Sequence, residues 1–106
     1  MTMEKRMAHL EDLSWEPGPY PGSRMKIYPM IEGTPFFSVL IELEPGAVLE
    51  EHEEPFNEIT IVFKGEARIE GKPCPEGSYF FTPAGKVHGP FATREGCRLL
   101  VIKFVS

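Results

Sequence analysis

Apolar and polar residues alternate along short segments of the chain. In the run FFSVLIEL, residues 36–43, every second side chain from Phe37 to Leu43 is apolar, whereas Ser38 and Glu42 fall between them. A period of two places one face of an extended strand in a core and leaves the other face outside it. The run therefore predicts a half-buried β-strand.

Four further short runs predict strands at 58–63, 66–70, 78–82 and 98–105, and the ten glycines and eleven prolines all lie outside the five runs. The last run contains LLVIKFV, whose nearly continuous apolar character predicts a strand buried on both faces. Lys64 and Gly65 predict a hairpin turn between the second and third strands. Many short strands separated by turn residues indicate an all-β sandwich or barrel.

The first 25 residues allow two interpretations. Met3, Met7 and Leu10 would share one face of a short helix capped by Thr2, or the segment would add an edge strand to the sheet. Further along, SWEPGPYPGS, residues 14–23, is rich in turn residues. Its two aromatic residues, at 15 and 20, are predicted to cover the barrel wall, because large aromatic side chains are usually packing residues.

Composition narrows the class of protein. A chain of 106 residues with a net charge of −5 predicts one globular domain and no nucleic-acid partner. No apolar run approaches the roughly 18 residues of a membrane helix, and MTMEKRMAHLEDL lacks the apolar core of a signal peptide. A cytoplasmic location, with no membrane partner, is therefore the expectation. Cys74 and Cys97 are then expected to be reduced thiols.

The candidate chemistry lies in the acidic stretch EEHEEPFNE, residues 50–58. His52 and Glu54 are two positions apart and would share a face of a strand, with Glu58 in step if the intervening proline leaves the register unchanged. His88 lies 36 positions after His52. Imidazoles and carboxylates are suitable ligands for Fe, Mn, Co, Ni or Zn. The alternative is a solvated acidic face that contains one histidine.

The spacing around these residues resembles the two cupin motifs. Gly46, His52, Glu54, Glu58 and Gly65 follow G-x5-H-x-H-x3-E-x6-G, with Glu54 in place of the second histidine. The segment GSYFFTPAGKVH, residues 77–88, follows G-x5-P-x-G-x2-H, and alanine replaces the asparagine that ends this motif at position 92. All four glycines of the two motifs are present, which supports the fold more than the function.

The resemblance implies a cupin β-barrel of the jelly-roll type. One domain would span 1–106, with 1–25 as an N-terminal extension packing on the barrel, 36–105 as the barrel core, the first motif at 46–65 and the second at 77–92. A divalent metal ion (Fe, Mn, Ni or Zn) would lie in the central pocket. His52, Glu58 and His88 match ligand positions of the family, and Glu54 matches a ligand position with a different side chain.

Glu54 leaves three outcomes open. It would bind the metal, giving a site of two histidines and two glutamates that favours harder ions. It would point aside and leave His52, Glu58 and His88 as ligands, which resembles the His-Glu-His iron site of 3-hydroxyanthranilate dioxygenases. In the third case the site would hold no metal and would bind a small ligand directly.

Side chains near the pocket have weaker assignments. Thr60, Tyr79 and Phe81 are candidates to line or flank it, and Phe56 and Phe91 are candidates to exclude water. Core packing is the alternative interpretation for each of these side chains.

Within the cupins, the chain resembles the cupin domain of ChrR-type anti-sigma factors. The similar pieces are Leu-Ser-Trp at 13–15, Leu-Glu-Pro-Gly at 43–46 and Glu-Gly-Cys at 95–97 before the last strand. The 106 residues leave no room for a separate helical zinc domain, so direct anti-sigma activity is not expected.

Three functions remain open for a small-molecule substrate or ligand. The first is a metal-dependent dioxygenase-type enzyme, in which His52, Glu58 and His88 hold the metal and leave open positions. The second is a non-catalytic metal- or ligand-binding sensor. The third is a small-sugar isomerase or epimerase, which requires a general base, with Glu54 as the catalytic candidate. A homodimer is expected, because pairing would cover an exposed edge strand.

Overall fold

The computed structural model describes residues 5–105, and this part of the chain consists of short strands and one 3-10 helix. The 3-10 helix spans Leu10–Asp12. The strands are β1 (Glu16–Pro17), β2 (Ser23–Ile27), β3 (Phe37–Leu43), β4 (Val48–Leu49), β5 (Asn57–Gly65), β6 (Ala67–Ile69), β7 (Lys72–Cys74), β8 (Tyr79–Thr82), β9 (Phe91–Ala92) and β10 (Cys97–Phe104).

The strands form two antiparallel sheets. One has six strands in the order β1-β2-β3-β10-β5-β8, and the other has four in the order β4-β9-β6-β7. Side chains from both sheets meet in one hydrophobic core, which includes Val39, Ile41, Leu49, Ile69 and Leu99. This all-β, two-sheet barrel confirms the predicted fold class.

Strand β10 lies at the centre of the six-stranded sheet, between β3 and β5. Its side chains alternate, with Leu99 and Val101 buried in the core and Leu100 and Ile102 half-buried on the outer face. The prediction of a strand covered on both faces is therefore correct in part, because the outer face is only partly covered.

The predicted hairpin at Lys64 and Gly65 is wrong. Strand β5 pairs with β8 and β10, whereas β6 pairs with β7 and β9, so the chain crosses from one sheet to the other at this point. Gly65 has a φ of 80°, and a Cβ there would lie 2.7 Å from the carbonyl oxygen of Gly96. The crossing thus requires glycine both for its backbone conformation and for the close approach of another loop.

Of the two N-terminal alternatives, the described residues show added strands, with β1 at the edge of the six-stranded sheet and β2 between β1 and β3. Residues 5–9 have no regular structure, and Thr2 and Met3 lie outside the described residues. Strands β1 and β2 instead extend the six-stranded sheet ahead of residue 36. Trp15 covers the outer wall, with the Arg24 guanidinium 3.9 Å and the Lys26 ammonium 4.8 Å from its ring centroid.

No helix in residues 5–105 combines the length and the apolar character that crossing a membrane requires.

Candidate metal centre

The two motifs are joined directly by backbone hydrogen bonds. The amide of His52 donates to the carbonyl of His88 at 2.9 Å, and the amide of His88 donates to the carbonyl of His52 at 2.8 Å. The amide of Gly85 donates to the carbonyl of Glu54 at 2.9 Å. These bonds place the two histidines opposite each other, 36 residues apart in sequence, because directly paired residues share a face of a sheet.

Three of the four predicted ligands converge at one point. His52, Glu54 and His88 each offer one ligand atom within 4.8 Å of the others. The Nε2 atoms of the two imidazoles are 2.9 Å apart, and Nε2 of His52 is 3.8 Å from Oε1 of Glu54. The structure therefore places Glu54 in the group, although its side chain differs from the histidine of the family motif.

A contact with the backbone orients the imidazole ring of His52. Nδ1 of His52 lies 3.0 Å from the carbonyl oxygen of Glu50. A carbonyl only accepts hydrogen bonds, so Nδ1 of His52 carries the proton and leaves the Nε2 lone pair facing the centre.

The donor set fits a divalent cation. Oε2 of Glu54 is buried and has no hydrogen-bond partner in the described residues. A buried carboxylate oxygen without a partner is costly, and a metal ion is one partner that removes this cost. Two imidazoles with one or two carboxylates suit Fe, Mn, Ni and Zn.

Glu58 lies beside this group rather than within it. Its Oε2 is 3.0 Å from Nδ1 of His88, on the side of that ring away from His52. Burial and the charge of Glu54 raise the pKa of Glu58 to about 7. Burial, followed by the charge of His52, lowers the pKa of His88, which favours the neutral imidazole that a metal requires.

Lys103 is a site residue that the sequence interpretation missed. Its ammonium group donates to Oε1 of Glu54 at 2.9 Å and lies 3.9 Å from Oε1 of Glu58. In the sheet, Lys103 pairs with Glu58 on β5 and with Phe37 on β3. The signal was the single charge in LLVIKFV, two positions after the buried Val101 and therefore on its inward face.

Tyr20 is the second missed residue. It was expected to cover the barrel wall, but its hydroxyl lies 2.8 Å from Nε2 of His52. Burial and the charges of Glu54 and Glu58 raise the pKa of the phenol to about 12, so Tyr20 stays neutral and keeps its hydroxyl group beside the centre. Tyr20 belongs to a loop, so no periodic pattern pointed to this contact.

The ligands border an inner cavity of about 50 Å³. Thr60 and Phe91, two of the weaker candidates, line this cavity with Tyr20 and Lys103. Tyr79 and Phe81 do not line it and are exposed. Liquid water occupies about 30 Å³ per molecule, so the inner cavity holds only one or two groups of that size.

Comparison with known proteins identifies the fold of this site. The chain matches the ChrR cupin-like domain family over residues 3–104. No match was found among functionally curated proteins.

Three solved structures illustrate the likeness. An RmlC-like cupin from Shewanella frigidimarina NCIMB 400 has a TM-score of 0.79 and 20% identity, over 97% of this chain and 93% of that chain. An acetylacetone dioxygenase from Acinetobacter johnsonii has a TM-score of 0.81 and 14% identity, over 98% and 76%. At these identities the two likenesses show the fold alone.

The third structure is the complex of SigE with the anti-sigma factor ChrR from Rhodobacter sphaeroides. It has a TM-score of 0.75 and 26% identity, and the match covers 90% of this chain and 51% of that one. This chain thus spans about half the length of the matched chain in the complex. The family match extends over nearly all of the sequence and includes both motifs that carry the candidate ligands, and the chain belongs to the ChrR cupin-like domain family.

Proposed function

We propose that this chain is a metal-dependent enzyme of the dioxygenase type that acts on a small organic molecule. A divalent metal is held by His52, Glu54 and His88, with Glu58 beside them. The observation that carries the proposal is the convergence of His52, Glu54 and His88 on one small cavity, where Glu54 also has a buried oxygen without a hydrogen-bond partner among the described residues.

A bound metal of this kind supplies Lewis acidity and, if it is iron or manganese, redox chemistry. The chain's own residues hold the site in place. The Glu50 carbonyl fixes the His52 ring, and Lys103 fixes one oxygen of Glu54. Tyr20 and Phe91 line the inner cavity and restrict the space available to water.

Glu58 is the carboxylate best suited to hold or release a proton. In the metal-free protein its pKa of about 7 lets this carboxyl exchange a proton near neutral pH. Glu54, the catalytic candidate from the sequence, is engaged by the ammonium of Lys103 at 2.9 Å. An isomerase or epimerase at the same metal is the second candidate function, and the buried Glu58 is the observation that favours it.

A metal- or ligand-binding sensor is the third possibility, supported by the likeness to the chain in the anti-sigma complex. A sensor binds a metal or a small ligand without turnover. Metal-loaded protein that converts no substrate in a screen of small ketones, carboxylates and sugars would favour this function over the two enzymatic ones.

The metal is tested by elemental analysis of protein purified without chelator. We expect about one metal ion per chain in the wild type and loss of most of it in His88→Ala, because removing a ligand lowers affinity on the order of 100-fold or more. His9→Ala is the matched control, since His9 caps the 3-10 helix away from the site and should keep the metal.

A Glu54→Ala variant in the same experiment separates the models of the site. We expect it to lose metal, because Glu54 and not Glu58 lies within the converging group. Full metal in Glu54→Ala would rule out Glu54 as a ligand, and a wild type without metal above background would contradict the proposed function.

We further propose that residues 1–106 act as one domain that pairs with a second copy. The outward side chains of β8, β5 and β10 form an aromatic face together with Phe36, which stacks on Phe104. The face is made up of Phe36, Ile59, Ile61, Phe63, Tyr79, Phe81, Ile102 and Phe104. Four of its aromatic residues are 44–63% exposed. They present on the order of 400 Å² of surface, before the isoleucines are counted, against about 800 Å² per partner in a standard interface.

On the other half of the same outer surface, an aromatic side chain packs against charged ones. There Trp15 covers Arg24 and Lys26, and the Lys26 ammonium donates to the carbonyl of Leu10 at 2.9 Å. Strand β8 also ends the six-stranded sheet beside the aromatic face. A second copy would cover both this face and this edge in one two-fold contact. The cytoplasmic location and the absence of a nucleic-acid partner stay predictions.

A further inference from the structure

We propose that an apolar chamber next to the metal centre binds the body of a substrate that is a small organic anion. The inference rests on the proposed function and names its substrate class. The chamber has a volume of about 410 Å³ and is lined by Met30, Pro35, Phe37, Phe56, Lys103 and Val105. Lys103 is the one charged residue among these six.

The chamber adjoins the candidate site at Lys103. This residue lines both the chamber and the inner cavity that contains His52, Glu54 and His88. Phe37, Lys103 and Glu58 are direct neighbours across three strands, so their side chains share the inward face of the sheet. A molecule in the chamber is therefore within reach of Lys103, whose ammonium donates to Oε1 of Glu54 at 2.9 Å.

The two volumes divide the substrate into a head and a body. The inner cavity, at about 50 Å³, accepts only a small polar head group. The chamber, at about 410 Å³, falls within the roughly 300–1,000 Å³ of small-molecule sites and has apolar walls. The body is thus aliphatic or aromatic, and the head alone enters the inner cavity.

Charge selects the head group. The Lys103 ammonium has three N–H donors, and its contacts are Glu54 at 2.9 Å and Glu58 at 3.9 Å. The distance to Glu58 is too long for a hydrogen bond, so two of the three donors have no acceptor among the described residues and are free for a ligand. The positive charge and the N–H donors of this ammonium favour a head group that is an anionic hydrogen-bond acceptor, such as a carboxylate.

The test is calorimetric titration of Zn²⁺-loaded protein with acetate, butyrate, hexanoate and hexylamine. We expect the affinity to rise about fourfold for each added methylene, the increment for burying one methylene group. Hexylamine should not bind. Lys103→Gln should weaken hexanoate binding at least tenfold, and its zinc content is measured in parallel.

Val105→Trp should abolish the dependence on chain length, because the indole fills the chamber at a position that is already exposed. Val48→Trp, an exposed valine on the other sheet, is the matched control and should bind as the wild type does. Equal affinities for acetate and hexanoate, or wild-type binding by Val105→Trp, would overturn the inference. Failure to bind Zn²⁺ would instead contradict the proposed function.

Discussion

Glu58 is the residue whose surroundings have the clearest consequence in solution. Its ordinary pKa of 4.5 rises to about 7 in the folded protein, because the carboxyl is buried and lies near the charge of Glu54. Between pH 4.5 and about pH 7, the Glu58 carboxyl therefore keeps its proton in the native protein but has lost it in the unfolded chain. The resulting stability is complete below pH 4.5 and is lost as the pH rises through about 7.

This shift predicts a pH dependence for the metal-free protein. Between pH 5 and pH 8, its free energy of unfolding should fall by on the order of 3 kcal/mol, because the buried Glu58 carboxyl loses its proton in this range. Glu58→Gln should remove this part of the dependence, since the amide stays neutral. Urea denaturation at both pH values measures it.

Glu76→Gln is the control for that experiment, because Glu76 is exposed in a turn and should leave the profile unchanged. His88 acts in the opposite direction: its lowered pKa gives stability that is present above pH 6.5 and is lost as the pH falls. Parallel profiles for the wild type and Glu58→Gln would show that Glu58 titrates as an ordinary carboxyl group.

For individual residues, motif spacing predicted which candidate ligands lie together, but it did not predict every residue that contacts them. His52, Glu54, Glu58 and His88 were all named from the sequence, and the structure brings them into one region. The contact of Lys103 with Glu54 depends on which residues of β10 pair with those of β5. This pairing cannot be predicted from the local sequence.

At the scale of elements, the aromatic face gives the next prediction. Phe81→Lys places a charge at its centre, beside Ile59 on β5. We expect the wild type to sediment as a dimer at micromolar concentration and Phe81→Lys to sediment as a monomer with unchanged circular dichroism. A charge within an apolar interface has no partner and is costly to bury.

Val48→Lys is the control, because Val48 is 48% exposed but lies on the four-stranded sheet. It should remain dimeric. A wild type that is monomeric at 100 times that concentration, or a Phe81→Lys variant that is still a dimer, would show that this face is not the contact between copies.

The strands show what the sequence pattern could and could not predict. The five strands with a clear run, β3, β5, β6, β8 and β10, begin and end within two residues of the predicted bounds. Strands β1, β4 and β9 have two residues each, too few to show a period. The crossing at Gly65 was mistaken for a hairpin because a glycine turn looks the same in sequence whichever strands it joins.

In the molecule as a whole, closure of the barrel creates the site. The first motif, 46–65, includes β4 on one sheet and β5 on the other, and the second motif, 77–92, includes β8 and β9, which also lie on different sheets. Backbone pairing of His52 with His88 then joins the two motifs. The family resemblance predicted this arrangement, whereas the N-terminal loop that carries Tyr20 into the site could not be anticipated from motifs that begin at Gly46.

The position of a bound metal is the most direct test of the proposed metal centre. Crystals of the protein loaded with Mn²⁺ would be measured at a wavelength where manganese scatters anomalously. We expect one strong anomalous peak per chain within about 2.0–2.3 Å of Nε2 of His52, Nε2 of His88 and Oε2 of Glu54. A peak elsewhere, or none at full loading, would contradict the assignment of these three residues as the metal centre.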